Sequence, residues 1–279
     1  QSSGNRVTVY DVLAITNGEN AVDLLGQYDE TSFTAPVPVY TKASANNGPN
    51  KFGFSAPAYI LYDGIGSRLF VGDQTNNRVL VYAMNSNGTF GSRIPANVLG
   101  QSNYYTSTPA TTQNGVNVPT GIAYDNTNSR LFVAQSMGNR VTVYDVAAIT
   151  DGENATNVLG QTSYTVATAA TTQKGMRLPQ GLAYDSVNSR LFVAQTTAAH
   201  RVTVYDVAAI TDGENATNLL GQTSYTGEFA ATTQNGMNVP QGLTYDKISN
   251  RLFVAQNTGN RVTVYDVAAI TNGENATNV

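Results

Sequence analysis

The side chains that could transfer protons, ligate metals or attack substrates are few in this chain, and most of them recur. Of 15 basic residues, nine fill two repeated positions: Arg68, Arg130, Arg190 and Arg251 in one, and Arg6, Arg78, Arg140, Arg201 and Arg261 in the other. Of 19 acids, 12 recur in the same way: Asp63, Asp125, Asp185 and Asp246; Asp11, Asp145, Asp206 and Asp266; Glu19, Glu153, Glu214 and Glu274. A site used once per protein does not need a copy in every repeat. These groups are therefore expected to brace turns and to pair between strands, where exposed ion pairs contribute only ~0–1 kcal/mol each.

What remains offers little for catalysis. With one histidine, His200, and no cysteine, a site of two or three histidines is impossible, and disulfide and thiol chemistry are excluded. A Ser–His–Asp arrangement would depend on His200 alone, and a polar turn residue is the preferred reading of it. Asp29, Glu30, Asp73 and Glu228 are the non-periodic acids from which a paired-carboxylate site could draw, but their spacing forms no constellation. The phrases Thr150-Asp151-Gly152-Glu153-Asn154 and Thr211-Asp212-Gly213-Glu214-Asn215 lack the alternating ligands of a calcium loop. Related copies carry Asn17 and Asn272 in place of the aspartate, so an Asp-Gly or Asn-Gly turn is expected. No glycine-rich phosphate loop occurs. No metal or other cofactor is expected.

The elements that must position these residues come from a repeat. RVTVYDV occurs at 6–12, 140–146, 201–207 and 261–267, with the variant RVLVYAM at 78–84. The glutamine of a (Val/Leu)-Leu-Gly-Gln phrase marks each unit, at Gln27, Gln101, Gln161 and Gln222. A period near 60 residues means one supersecondary unit built several times. Each unit holds four apolar stretches of strand length, rich in Val, Tyr, Phe and Thr and separated by Asn, Gly, Asp and Ser. No segment holds helical spacing for ten residues; the stretch 207–210 is read as a loop with at most one turn. Four short antiparallel strands per unit, here named A to D, describe a blade of a β-propeller, an all-β fold. The expected organisation is a single domain, 1–279. It comprises a half blade of strands C and D at 1–27, a long insertion at 28–56, and four blades at 57–101, 119–161, 179–222 and 240–279. About 18 residues connect strand D to the next strand A.

The phrases Val118-Pro119-Thr120-Gly121-Ile122-Ala123-Tyr124-Asp125, Arg130-Leu131-Phe132-Val133-Ala134-Gln135 and Asn139-Arg140-Val141-Thr142-Val143-Tyr144-Asp145 resemble the NHL-repeat family. The family pattern is Pro-x-Gly-(Ile/Val)-Ala-x-Asp, an apolar strand ending Val-Ala-Asp, then Asn-x-Arg-Val-x-x-(Phe/Tyr). The resemblance covers nearly the whole chain, and the Leu-Gly-Gln link is similar to that of secreted bacterial members. It implies the propeller fold and says little about activity, because members include binding modules and a few enzymes. The acid closing Val-Ala-Asp survives only as Asp73; the other copies carry Gln135, Gln195 and Gln256. His200 stands near the asparagine position of the Asn-Arg-Val turn.

Binding residues are sought where loops gather. The D–A loops carry Tyr104, Tyr105, Tyr164 and Tyr225, with Gln113, Gln173 and Gln234 in the Thr-Gln-x phrases. Tyrosines with neutral amides suit sugars or a polar protein surface. The alternative, that the tyrosines pack between neighbouring blades, is preferred. Two places break the symmetry: the insertion 28–56, with Tyr40, Phe52 and Phe54, and the C–D loop 83–96. A dedicated interaction site is expected there first. Asn154, Asn215 and Asn275 each begin Asn-Ala-Thr and Asn87 begins Asn-Gly-Thr, which are candidate glycosylation sites.

Charged residues are only 12% of the chain and net charge is −4. A low-charge, amide- and hydroxyl-rich surface suits an extracellular or cell-surface protein. The acidic balance argues against nucleic acid, which needs a basic face. No apolar run reaches membrane-spanning length, so no membrane insertion is expected. Gln1 opens in mid-pattern, which reads as a trimmed product whose signal peptide lies outside this chain. Residues 1–24 match 256–279, so the half blade duplicates part of the last blade rather than completing it. Its strands lack an A/B partner, and three arrangements fit: a ring closed with the duplicate displaced, a window on a longer array, or completion by a neighbouring subunit, since an unpaired edge recruits other chains. The expected function is a non-catalytic extracellular structural or interaction module that associates head to tail, as a ring or filament. The alternative is a glycan- or small-ligand-binding propeller using the D–A loop face; a lyase- or lactonase-type enzyme is the third reading.

Overall fold

The structure is a computed structural model that describes residues 1, 3–29, 36–42 and 48–279. Among these, every regular element is a strand. The chain is an all-β propeller chain of four-stranded antiparallel blades preceded by a half blade. The half blade pairs β1 (Val7–Val9) with β2 (Asp23–Leu25). The first full blade runs β3 (Pro57–Asp63), β4 (Arg68–Asp73), β5 (Arg78–Ala83) and β6 (Asn97–Leu99). The second runs β7 (Pro119–Asp125), β8 (Arg130–Gln135), β9 (Arg140–Asp145) and β10 (Asn157–Leu159). The third runs β11 (Pro179–Asp185), β12 (Arg190–Gln195), β13 (Arg201–Asp206) and β14 (Asn218–Leu220). The last holds β15 (Pro240–Asp246), β16 (Arg251–Gln256) and β17 (Arg261–Asp266), and its D position narrows to a single bridge between Val264 and Asn278. The 207–210 stretch forms only bends.

Register follows from composition. Within the third blade the central pair runs from Arg190 opposite Asp206 to Gln195 opposite Arg201, six residues without a slip. Strand A always begins with proline, and in the first, third and last full blades the ladder shifts just after it. Proline has no N–H to donate, so it belongs at the start of a strand and next to a bulge. Strands B and C are buried almost throughout in the first three full blades, which is why their sequences are near-continuous Val, Leu, Phe and Tyr.

The chain divides into two compact units. One comprises Gln1–Ala110, Asn114–Pro119 and Ile149–Glu153, and the other comprises Thr111–Gln113, Thr120–Ala148 and Asn154–Val279. In the first, Val7 and Leu25 of the half blade share a core with Leu69, Leu80, Tyr82 and Val98 of the first full blade, plugged by Phe54. In the second, one core joins Phe132, Val141 and Leu159 to Leu182, Leu191 and Tyr205, and another joins Phe192, Val202 and Leu220 to Leu252, Val254 and Tyr265. Blades thus bury their faces on each other, each apolar side chain contributing ~1.5–3 kcal/mol when fully covered.

Candidate functional site

The repeated charges sit at turns. Asp63 Oδ1 accepts the N–H groups of Ile65 and Gly66, and Oδ2 accepts Nε and Nη2 of Arg68 at 3.1 and 2.7 Å. Asp125 holds Arg130, and Asp185 holds Arg190, in the same way. Burial works against these two carboxylates, but bonds from Asn128 and Arg130, and from Asn188 and Arg190, outweigh it and hold both below the usual range. Each of these two arginines also donates to the blade that follows, Arg130 to Val207 O and Arg190 to Val267 O, both at 2.6 Å. In the last blade Asp246 takes its bonds from Ser249 and Ile248 instead.

The arginines that open strand C are buried deeper. Arg78, Arg140 and Arg201 rank among the largest fully buried side chains. Arg78 Nε bonds Asp73 Oδ2 at 2.7 Å, while its Nη groups hold the carbonyls of Tyr104, Asn50 and Gly53. Arg140 has Gln135 Oε1 at 3.1 Å in place of the carboxylate, and holds the carbonyls of Tyr164 and Thr112. Arg201 repeats this with Gln195, Tyr225, Thr172 and Gly175. Burial pushes both Arg140 and Arg201 below the ordinary guanidinium pKa.

These contacts decide where the candidate binding residues stand. The tyrosine carbonyls anchor the buried arginines, and the rings fill gaps. Tyr104 is buried in the first unit's core, with its hydroxyl 3.4 Å from Asp151 Oδ1 and Lys51 Nζ lying 4.7 Å from its ring centroid. Burial and Asp151 push that hydroxyl well above the usual phenol range. Tyr164 and Tyr225 are half-buried; Tyr225 donates its hydroxyl to Ala216 O at 3.2 Å. Tyr105 is the exposed ring of the set. Gln113, Gln173 and Gln234 each bond both backbone groups of one alanine in the next C–D loop: Ala155, Ala216 and Ala276.

The Asp-Gly turn is an interblade clamp. Asp151 Oδ1 accepts Val98 N–H at 3.0 Å, and Gly152 N–H returns a bond to Val98 O at 2.9 Å. Asp212 and Gly213 grip Val158 identically, and Asn272 and Gly273 grip Leu219. Asparagine replaces aspartate freely because only one acceptor oxygen is used. Glycine is required twice over: φ is +68° at Gly152, and a Cβ there would meet Ser102 Cα at 2.9 Å.

His200 takes over an asparagine's task. Asn77 and Asn139 stand at positive φ in the B–C turn and accept the N–H of Val118 and Leu178 through Oδ1. His200, at φ +48°, accepts Val239 N–H at 3.1 Å through Nδ1. That bond needs neutral imidazole, and burial lowers its pKa in the same sense.

In the insertion, Phe54 is fully buried with its ring 6.2 Å from Tyr82, and Phe52 meets Tyr28 edge-on at 6.4 Å. Tyr40 stays partly exposed and gives its carbonyl to Arg6. Arg93, in the asymmetric C–D loop, forks onto Asp23 at 3.0 and 2.9 Å, a contact that sequence reading missed because 70 residues separate the partners. Of the non-periodic acids, Asp73 is paired with Arg78, and Glu228 meets Arg177 at 3.3 Å; Glu30 lies outside the described residues. Among the described residues, no three His, Asp or Glu side chains gather as a metal site. Asn87, Asn154, Asn215 and Asn275 are all exposed. The threonine hydroxyls at Thr156, Thr217 and Thr277 donate to strand C carbonyls, which gives the Asn-Ala-Thr phrase a structural use.

No family model matches the chain, and no curated protein matches it. Among solved structures, a chain from the crystal structure of a nidogen/laminin complex aligns at a TM-score of 0.47 and 20% identity, over 77% of this chain and 61% of its own length.

Proposed function

We propose that the chain is a non-catalytic, extracellular propeller of the NHL-repeat type that serves as a structural or protein-interaction module and associates head to tail. The observation that carries this reading is the use of its charged side chains. Asp63, Asp125, Asp185 and their arginines close turns, and Arg78, Arg140 and Arg201 are consumed by backbone carbonyls. The reading assigns the remaining surface, rich in Thr, Asn and Gln, to contact with other polypeptides. Sedimentation of the intact chain over a wide concentration range, with electron microscopy of the concentrated sample, tests it. Concentration-dependent growth into regular rings or filaments is expected; a chain that stays monomeric at high concentration removes the head-to-tail element.

A further inference from the structure

The C–D loop of the first full blade departs from the repeat. The three blades after it continue strand C into Asp-Val-Ala-Ala-Ile, whereas β5 runs into Ala83-Met84-Asn85-Ser86-Asn87-Gly88-Thr89-Phe90. That stretch closes a small hairpin of its own. Met84 bridges Phe90, Asn85 N–H bonds Thr89 O at 2.8 Å, and Gly91 N–H bonds Ala83 O at 3.0 Å. Packing fixes the base, since Met84 and Phe90 lie against the core that holds Leu80 and Tyr82. The tip stands in the open: Asn87, Gly88 and Thr89 are exposed, Gly88 takes φ +79°, and a Cβ there would meet nothing within 4 Å. Asn-Gly suits such a turn.

The turn orients the Asn87 amide. Thr89 donates twice to Asn87 Oδ1, from its backbone N–H at 3.1 Å and from Oγ1 at 2.7 Å. A backbone N–H can only donate, so the atom facing it is the amide oxygen, and Nδ2 is the half that Thr89 does not engage. Asn85 Nδ2 donates to Thr89 Oγ1 at 2.9 Å, which leaves that hydroxyl's own proton for Asn87. Two donors on Oδ1 favour negative charge there and so make a proton easier to take from Nδ2. The repeat carries the same Asn-x-Thr motif at Asn154, Asn215 and Asn275 in a different state. Its threonine hydroxyls donate to strand C carbonyls at 3.0 to 3.1 Å instead of to the asparagine. The alanine between is buried, and a glutamine of the preceding D–A loop holds both of its backbone groups. An enzyme that must grip asparagine and threonine together can engage these copies only by opening that contact.

We infer that Asn87 is the acceptor of an N-linked glycan on the folded chain, and that the three repeat copies of the motif are closed to it. The donor is an oligosaccharide carried on a lipid diphosphate and transferred by an oligosaccharyltransferase. Nδ2 bonds the anomeric carbon as the bond from that carbon to the diphosphate oxygen breaks. The electron pair leaves with the lipid diphosphate, and a base of the transferase takes the Nδ2 proton. The hairpin tip takes part in none of the Asp-Gly clamps or glutamine contacts described above, so a glycan there displaces no contact between blades. The inference takes its biological setting from the extracellular reading proposed above, but it concerns the folded chain and is tested apart from that reading.

The test incubates the intact folded chain with a purified oligosaccharyltransferase that requires only Asn-x-Ser/Thr and with a lipid-diphosphate-linked oligosaccharide. Intact mass and peptide mapping follow the product. One glycan per chain is expected, on the peptide that holds Asn87, with transfer at least tenfold faster than at Asn154, Asn215 or Asn275. Asn87→Gln, a change at an exposed tip, should abolish the mass increase and leave the melting temperature unchanged. Synthetic peptides of residues 84–92 and 151–159, which lack the fold, are expected to be glycosylated at rates within about threefold of each other. Three results would overturn the inference: no transfer to the folded chain by an enzyme that glycosylates either peptide, equal transfer to a repeat copy in the folded chain, or a tenfold preference for 84–92 already present between the peptides. Polymers formed by a chain that takes no glycan break only this inference; a monomer that takes one breaks only the head-to-tail reading.

Discussion

The first full blade and the two that follow bury the same arginine in different company. In the first, Arg78 meets the carboxylate of Asp73, and the strand C residue two positions beyond the arginine is Leu80. In the second and third, Arg140 and Arg201 meet the amides of Gln135 and Gln195, and the strand C residue is Thr142 or Thr203. The two differences belong together. An amide brings a donor that must be satisfied when buried, and Thr142 Oγ1 accepts it at 2.7 Å. A carboxylate brings none, so an apolar leucine suffices beside Asp73. The guanidinium in both versions is held mainly by carbonyl oxygens, which is why the ion pair can be exchanged for a neutral contact. Buried ion pairs are weak contributors when weighed against their desolvation, but removing one partner is costly.

Substitutions can break this comparison, and the largest effect is expected at the charged version. Arg78→Met strands a buried carboxylate and should cost ~3–5 kcal/mol in urea unfolding. Arg140→Met leaves only neutral acceptors and should cost less. Equal losses would show that the carboxylate does not distinguish the blades. Next comes the exchange itself. Asp73→Gln should lose ~1–3 kcal/mol because its amide faces Leu80, and adding Leu80→Thr should return part of that loss. Strict additivity of the two changes would break the proposed pairing. Thr142→Val, which is isosteric and orphans the Gln135 amide, should cost ~1–3 kcal/mol, while Leu80→Val, which removes one methylene, tests packing alone. At the clamp, Asp151→Asn should leave the thermal midpoint nearly unchanged and Asp151→Ala should lower it, the loss being ~0.5–1.5 kcal/mol.

The smallest effect concerns His200 and sharpens the same lesson, that an acceptor rather than a charge is what each turn requires. Its folded pKa lies below the unfolded value, so the unfolded chain takes up the proton first. Stability from this turn is full above about pH 6.5 and falls as pH drops below it. His200→Asn restores the oxygen used by Asn77 and Asn139, and should remove that part of the pH dependence of the denaturation midpoint. An unchanged pH profile in His200→Asn would show that the imidazole is not the acceptor.

Much of the fold was legible before any coordinates. Period, strand composition and turn residues pointed to four-stranded blades, and the recurrence of Arg and Asp pointed to bracing. Less of the candidate site was legible. The Asp-Gly phrase reads as a local turn, yet its main bonds run to Val98, Val158 and Leu219, more than 50 residues away. The same distance hid the fork of Arg93 onto Asp23. The Thr-Gln phrases read as an amide-rich surface, and what the sequence did not show is that each glutamine also bonds an alanine backbone of the next C–D loop through its main-chain carbonyl and its Nε2.

The sequence by itself determined what each segment can be. Proline at the head of strand A, unbroken Val, Leu and Phe in strands B and C, and glycine where φ is positive are local demands of backbone geometry and burial, and they repeat with the period. Only the tertiary structure decided what each polar group is for. Groups such as Gln113, Asp151 and Asp212 take partners 42 to 54 residues away in the chain, which no local pattern announces.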